Sequence, residues 1–467
     1  MRFFDPRSPV NLSLRLAGAY STMATWVTVP AARYDAVMQS PPVGAAPLPD
    51  GPSLTPSRLA PFASRDFRLL CVTQLAGGIR GPMLFIVQAW YVNVTAPEDQ
   101  RLLLLGLLAT FRGLAFLSYI LFGGVLADRY PRRTMLLGGH VGALLFLGGT
   151  GVLLYLPGAS NGEGLWLPLM MFLFAMSGLI NAQDLPTRTA LVSEAVPQVL
   201  VPRAVTLFQL AWSVSLLVAG PVTGLSIDHL GFGTSYLIAA STHIWLLAAV
   251  WPLEIGRRAA DPNAVRDSVL HNLRDGLNYL GSHAGVRWTV FTTWASLGIG
   301  ITVMGVLMAA WLDVVLGLGA TGWGVMQFFW GSGGLLAMSW LATRRGPQRN
   351  GWLLLIAALI LGGAVLAFSL SRVVVLSFVL GGFAGGAFQT VRVTGTAIAQ
   401  TEVPPELRGR VLGLLIVANG IAGVLGVPAG LLAQFIGLEM LFTGGGVVLL
   451  GLAASVALTQ RQLRDIA

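Results

Sequence analysis

Lysine is absent. All 29 basic side chains are arginine, which points to a GC-rich, bacterial coding bias, because no local chemistry asks for a guanidinium at every position. Cysteine occurs once, at Cys71, so an intrachain disulfide is excluded. Charge is scarce, at 10% of the 467 residues against about a quarter in an average soluble domain. That is too little to coat a water-facing surface, and one soluble core stops growing near ~250–300 residues. The five histidines (140, 229, 243, 271 and 283) are scattered, with no pair at i, i+4, so no metal site and no other cofactor is expected.

What the chain has in abundance is apolar sequence: 55% hydrophobic residues and a mean hydropathy of +0.73. A net charge of +9 would suit nucleic acid, but basic loops on the cytoplasmic face of a membrane protein give the same number. The expected partner is a lipid bilayer, with no nucleic acid. A spanning helix needs about 20 mostly apolar residues. Twelve stretches qualify: 69–93, 102–127, 134–156, 166–185, 205–227, 235–253, 289–312, 322–342, 351–370, 373–395, 411–435 and 440–459. The expected fold class is therefore an all-α membrane protein with twelve transmembrane helices. Tryptophans near helix ends, such as Trp166, Trp251, Trp288, Trp323 and Trp352, fit an interfacial belt.

Arginine sets the orientation. With the N-terminus in the cytoplasm, 24 arginines fall on the cytoplasmic side, two (Arg101 and Arg372) on the other, and three inside helices. Positive charge concentrates on the cytoplasmic side, so both termini are expected there. The domain reading is a Pro-rich tail over 1–64, a six-helix half over 65–254, a linker over 255–287, a second half over 288–459 and a C-terminal stretch over 460–467. The tail is read as disordered, with a start at Met23 or Met38 as the alternative. In the linker, Val269, Leu273, Leu277 and Leu280 recur at helical spacing, which predicts an amphipathic helix over 268–282.

The halves share a register. At a constant offset of 207 residues, Gly178 matches Gly385, Thr187 matches Thr394, Val196-Pro197 matches Val403-Pro404, Arg203 matches Arg410, and Pro221 matches Pro428. A gap-free register through two helices and their loop implies a 6+6 pseudo-repeat, the parallel duplication of transporters whose site lies between halves.

Between the second and third spans stand Gly124, Asp128, Arg129, Arg132 and Arg133. This pattern resembles the loop motif of the major facilitator superfamily, with Pro131 where a Gly is usual. Asp128 ends a helix, where it can accept hydrogen bonds from the N–H groups of a neighbouring helix start. The resemblance implies that this neighbour is the eleventh helix, near Arg410 and Val411, and that the motif is a latch broken in one access state; topological anchoring is the alternative. Gly220, Pro221 and Gly224 in helix five resemble an antiporter element of the same superfamily, with Leu216 where a Gly is usual; tight helix contact is the alternative. With 64–70 and 404–412, the chain resembles the exporter branch that includes siderophore and macrolide efflux proteins.

An ionisable group at mid-membrane depth costs about 2.5–3.5 kcal/mol or more, so it faces a cavity or a partner. Arg80 lies mid-way along helix one among Gly77, Gly78 and Gly81, and Arg112 mid-way along helix two. Helix four carries Ser177, Asn181, Asp184 and Arg188 on one face, and helix ten carries Gln389, Arg392 and Thr396. Two readings stand. Arg80, Arg112, Ser177, Asn181, Asp184, Gln389 and Arg392 line a positive cavity for an anionic or hydrogen-bonding substrate, or Arg80 or Arg112 pairs with Asp184 to fix packing. Asp128 and Asp184 are the expected proton carriers.

The functional expectation is a secondary transporter in a bacterial inner membrane, a monomer that exports a small amphipathic or anionic molecule, with protons as a candidate coupling ion. Lysolipid or nutrient transport is an alternative substrate class. A membrane-embedded lipid-modifying enzyme would need a nucleophile-base pair at helix depth, and the helices offer none, so no enzymatic activity is expected. A non-transporting sensor is the remaining alternative. The arginine count makes a direct prediction: a reporter active only in the cytoplasm is active when fused after Arg349 or at the C-terminus, and silent near Glu163 or Arg372. The reverse pattern would overturn the orientation.

Overall fold

In hydrocarbon an apolar segment satisfies its own backbone only by coiling into a helix, and the twelve apolar stretches do so. The computed structural model describes residues 59–256, 269–343 and 349–466, and the side chains at 121–129, 202, 269, 270, 272, 306 and 342 lie outside that description. In chain order the helices are α1 (Arg65–Thr95), α2 (Arg101–Arg129), α3 (Arg132–Leu153), α4 (Trp166–Ala182), α5 (Asp184–Ala195), α6 (Val201–Val250) and α7 (Val269–Ser282). They continue as α8 (Ala284–Ile301), α9 (Ala320–Thr343), α10 (Asn350–Leu370), α11 (Val374–Glu402), α12 (Pro405–Val424), α13 (Gly426–Ile436) and α14 (Leu438–Thr459). Among the described residues, nine helices are long and apolar enough to cross a membrane, or ten if the pair Ala284–Gly305 and Met308–Val315, bent by 44°, is one span.

The difference from twelve comes from the fifth and sixth spans, the seventh and the eighth, while the fourth and eleventh divide without changing the count. The expected fifth and sixth spans run on as α6, interrupted only at Gly231, whose φ of 78° and ψ of 176° turn the chain. That left-handed φ suits a residue without Cβ. The expected eighth span is α9, helical but outside the nine, its apolar run diluted by five glycines. The eleventh divides at Leu425 into α12 and α13. The seventh continues from α8 through π-helical turns at Thr302–Val306 and Trp311–Val315. The fourth breaks at Gln183 into α4 and α5.

Residues 1–58 of the expected tail lie outside the described residues; at its end Ala60–Ala63 form a 3-10 turn and the Ser64 hydroxyl caps α1 by accepting from Phe67 N at 3.3 Å. Trp323 is not interfacial: it is fully buried with Trp311, its ring edge-on to Phe85 at 5.5 Å. The linker segment is helical as α7, though its Leu277 faces outward while Tyr279 and Leu280 pack beneath. Asp275 of α7 binds Arg410 at the start of α12 at 2.5 Å.

The offset register has a backbone counterpart. Val196 and Val403 both end helices in extended conformation, and the prolines that follow open the next with φ −56°, ψ 147° at Pro197 and φ −52°, ψ 146° at Pro404.

Two glycine-lined seams position everything that follows. Along α2 and α12–α13, Gly106, Gly113, Gly420, Gly423, Gly426 and Gly430 let the backbones touch: a Cβ on Gly113 would sit 2.6 Å from Gly420 O. Along α6 and α9, a Cβ on Gly220 would sit 2.6 Å from Gly324 O, and one on Gly224 2.5 Å from Ala320 O. The expected helix-five element is therefore a contact surface. At the end of the bundle opposite Arg65, side chains close the seams. Asp228 of α6 accepts from Thr321 N at 2.8 Å and Ala320 N at 3.2 Å, so one helix caps the exposed N–H groups that open another. There too Asn93 donates to Asp313 at 2.9 Å, with Arg101 3.7 Å from the same carboxylate.

Overpacking a seam costs about 1–3 kcal/mol. Gly220→Val should therefore lower the melting temperature in detergent, while Gly451→Ala, with open space around it, should leave it unchanged. Equal melting temperatures for both would mean that the α6–α9 seam is not close-packed in solution.

Candidate functional site

Asp184 is the first residue of α5, just past the break at Gln183, and only 3% exposed. Its carboxylate is gripped twice from its own helix, by Arg188 Nε to Oδ1 at 2.7 Å and Nη2 to Oδ2 at 2.9 Å, and once from α1, by Arg80 Nη2 to Oδ2 at 2.6 Å. The spacing of four brings Arg188 over Asp184 on one helix face. Arg188 also donates from Nη1 to Thr73 O at 2.8 Å and Gln74 Oε1 at 2.7 Å. Burying charges this deeply is tolerated only when they are paired and their protons have acceptors.

The glycines around Arg80 have definite tenants. A Cβ on Gly77 would run into the Arg188 guanidinium, and one on Gly78 would lie 2.6 Å from Ser215 Cβ of α6. The space beside these glycines is thus filled by side chains of the fold itself. Arg80, 5% exposed, is the partner of Asp184, and neither lines a described cavity in this conformation. Asp184, held by two guanidiniums, is also poorly placed as a free proton carrier.

Arg112 takes the other path. From half-way along α2 its Nη1 donates to Gln88 Oε1 at 3.1 Å, and its guanidinium lies over the Phe85 ring at 4.9 Å. Gln88 passes the contact on, its Nε2 donating to Ser177 Oγ at 2.9 Å and Tyr236 Oη at 3.0 Å. Asn181 spends its amide on Ser177 O at 2.8 Å. Ser177 and Asn181 thus back Arg112 rather than open to a cavity themselves. Arg112 lines a cavity of about 260 Å³ on the α2–α12 seam, with Phe85, Phe116, Thr302, Leu307 and Asn419.

Gln389 and Arg392, both on α11, line a second cavity of about 210 Å³ with Gln209, Trp212, Ser213, Trp330 and Met338. It lies on the α6–α9 seam. Arg392 is exposed to it, and among the described residues neither Arg112 nor Arg392 has a carboxylate partner. A larger cavity of about 500 Å³ between α9, α10 and α11 has no charged side chain in its walls.

Of the loop motif, Gly124, Asp128 and Arg129 fall within α2 but their side chains lie outside the described residues. Arg132 pairs with Glu194 of α5, and Arg133 donates to Trp251 O. Arg132 and Arg133 thus bind within residues 65–253. Sequence reading missed the histidines: His140 of α3 and His243 of α6 are buried with their Nδ1 atoms 3.3 Å apart. No local spacing signals a pair 103 residues apart in sequence.

The family model for the Major Facilitator Superfamily matches residues 70–427. The chain belongs to the major facilitator superfamily. This facilitator is 25% identical over 264 residues to the multidrug efflux pump Tap of Mycolicibacterium fortuitum, covering 56% of the chain and 64% of that protein. It is 24% identical over 341 residues to the uncharacterized MFS-type transporter YfiS of Bacillus subtilis, covering 70% of the chain and 77% of that protein. In fold it resembles the nucleoside transporter NupG, with a TM-score of 0.63 at 15% identity over 85% of the chain and 99% of the other. A bacterial homologue of the iron transporter ferroportin, in an inward-facing state, gives a TM-score of 0.62 at 15% identity, over 84% and 98%. Membership places the chain in a family of multi-pass membrane transporters.

The ion cluster and the cavity arginines separate by stability. Breaking a buried pair costs about 3–5 kcal/mol, because the partner is left charged and unmatched. Asp184→Asn, which strands two guanidiniums, should destabilise more than Arg80→Gln, after which Arg188 still neutralises Asp184. Thermal melts in detergent check the order; Asp184→Asn melting with the wild type would mean that water already solvates the cluster.

Proposed function

We propose that this facilitator is an exporter that moves a small amphipathic anion across a bacterial inner membrane by alternating access between two six-helix halves. The observation that carries the reading is the pair of arginines, Arg112 and Arg392, that line separate cavities on the two seams without a carboxylate partner among the described residues. A cation held in a low-dielectric cleft favours an anionic group, and the aromatic walls (Phe85, Phe116, Trp212 and Trp330) suit an apolar body.

Twelve crossings follow if α6 counts twice across Gly231, α4–α5 and α12–α13 count once each, α8 runs on to Val315, and α9 is included. The halves are then 65–254 and 288–459, joined by the linker 255–287, with both termini cytoplasmic, the tail 1–64 preceding and 460–467 following. The matched turns at Pro197 and Pro404 support the duplication. On that topology the end closed by Asp228, Asp313 and Asn93 is the outside, and this conformation is open toward the cytoplasm. Asp128 with Arg129, Arg132 and Arg133 then forms the inner latch, engaged with α12 when the inner side closes. Export as the direction rests on the Gly220-Pro221 element and on the distant likeness to an efflux pump. Protons are the coupling ion, and the monomer suffices because both cavities lie within one chain.

A charge-assisted hydrogen bond contributes about 1.5–3 kcal/mol. Arg112→Gln and Arg392→Gln should each weaken binding of an anionic amphiphilic dye by roughly tenfold or more, with melting temperatures near wild type and little change for a cationic dye of the same skeleton. Stable variants with unaltered affinity for the anionic dye would refute the anion reading.

A further inference from the structure

Four helices bring titratable groups to one dry point. They are Arg80 from α1, His140 from α3, Asp184 and Arg188 from α5, and His243 from α6, each at most 5% exposed. Helix α4, which leads into α5, carries no titratable side chain. Arg80 Nη1 lies 3.5 Å from His243 Nε2, His243 Nδ1 lies 3.3 Å from His140 Nδ1, and His140 Nε2 lies 3.6 Å from Asp184 Oδ1.

The direction of this chain follows from what each group can do. A guanidinium only donates, so His243 Nε2 accepts and the proton of neutral His243 sits on Nδ1. That proton is donated to His140 Nδ1, so His140 carries its own proton on Nε2. There it points toward Asp184 but falls short, and His140 Nε2 has no hydrogen-bond partner. Both imidazole lone pairs are thus committed. A proton entering the pair has two landing places, and each requires a bond to break: Arg80 leaves His243, or His243 parts from His140. The cluster already holds two guanidiniums against one carboxylate, so an imidazolium here would be a second unbalanced charge.

We propose that His140 and His243 form the proton-accepting pair of this transporter, which is filled only when His243 parts from Arg80 or from His140. Proton uptake is thereby tied to a rearrangement of α6, the helix that also forms the seam with α9, against α1 or α3. The pair replaces Asp128 and Asp184 as the coupling carrier. The proposal rests on the alternating-access reading only for its consequence; the order of protons along the chain is readable without transport.

Two measurements on the full chain in liposomes test it. Histidine-selective ¹⁵N solid-state NMR should find, at neutral pH, one buried ring with its proton on Nδ1 and one with its proton on Nε2. Their signals should be assigned by loss in His243→Gln and His140→Gln respectively. Both rings in the same tautomer, or either one charged at neutral pH, overturns the proposal even if the variants fold poorly, because the wild-type spectrum decides. Thiol labelling of Ser213→Cys, in a Cys71→Ala background, then reads the opening of the α6–α9 cavity. Labelling should change about tenfold between roughly pH 8 and 5, the ordinary size of a coupling between two sites. Either His→Gln substitution should flatten that profile, while His229→Gln, on the exposed turn of α6, keeps it. A pH profile that is flat in the parent, or that persists in both His→Gln variants, removes the pair from coupling. Failure of the transporter reading itself would register elsewhere, as absence of dye binding with the proton order intact.

Discussion

The carboxylate of Asp184 meets Arg80 from α1, Arg188 from its own helix and His140 from α3, with His243 of α6 one contact further on. An isolated ion at that depth would be expelled or neutralised, since its desolvation alone is worth several kcal/mol. Arg188 answers it bidentately from one turn away, and Arg80 answers it from α1. Those two guanidiniums then dictate their surroundings. Gly77 must be small because Arg188 fills the space beside it, Gln74 and the Thr73 carbonyl must be there to take its protons, and His243 Nε2 faces Arg80 Nη1. A break between α4 and α5 is needed as well, since Asp184 opens the second helix. The segment is held by charge satisfaction at its centre and by apolar packing around it.

The seams of α2 with α12–α13 and of α6 with α9 follow opposite rules. They contain few ion pairs and many glycines, and their contacts are backbone on backbone. Such a surface gains from dispersion at close approach yet strands no charge when it parts, so separation costs little beyond the contacts themselves. Directional bonds across the seams include Asp228 capping α9, Asn93 reaching Asp313, and Thr110 of α2 bridging Val424 O and Val427 N at the α12–α13 break. The two arginines without acidic partners lie along those same seams, where a ligand can supply the missing charge.

Periodicity made the helices legible, and a compact motif made the superfamily legible, because both are local in sequence. Apolar runs of membrane length, the arginine-rich loop after α2 and the turn at Val403-Pro404 could all be read from neighbouring residues. Partnership across the bundle could not. Arg80 and Asp184 are 104 residues apart, and a glycine-flanked arginine reads the same whether the space beside it holds a substrate or a second arginine. The five histidines looked scattered because spacing was sought along one helix, whereas α3 and α6 supply one each. The count of spans blurred for a related reason: Gly231 turns the chain without ending α6, the seventh span bends between Gly305 and Met308, and glycines dilute α9.

The contrast between Arg112 and Arg80 shows how one residue type comes to do two jobs at similar depth. Arg80 faces a helix that starts with a carboxylate, which it shares with Arg188. Arg112 faces amide and hydroxyl groups: Gln88, held by Ser177 and Tyr236, accepts one of its protons but offers no negative charge. A carbonyl dipole solvates a guanidinium well enough to keep it folded and leaves the monopole unanswered. Phe85 adds the quadrupole of its ring face, which again attracts a cation without neutralising it. Arg112 is therefore stable where it stands and still attractive to an anion, the condition a transport site must meet if it is to bind its cargo and afterwards release it.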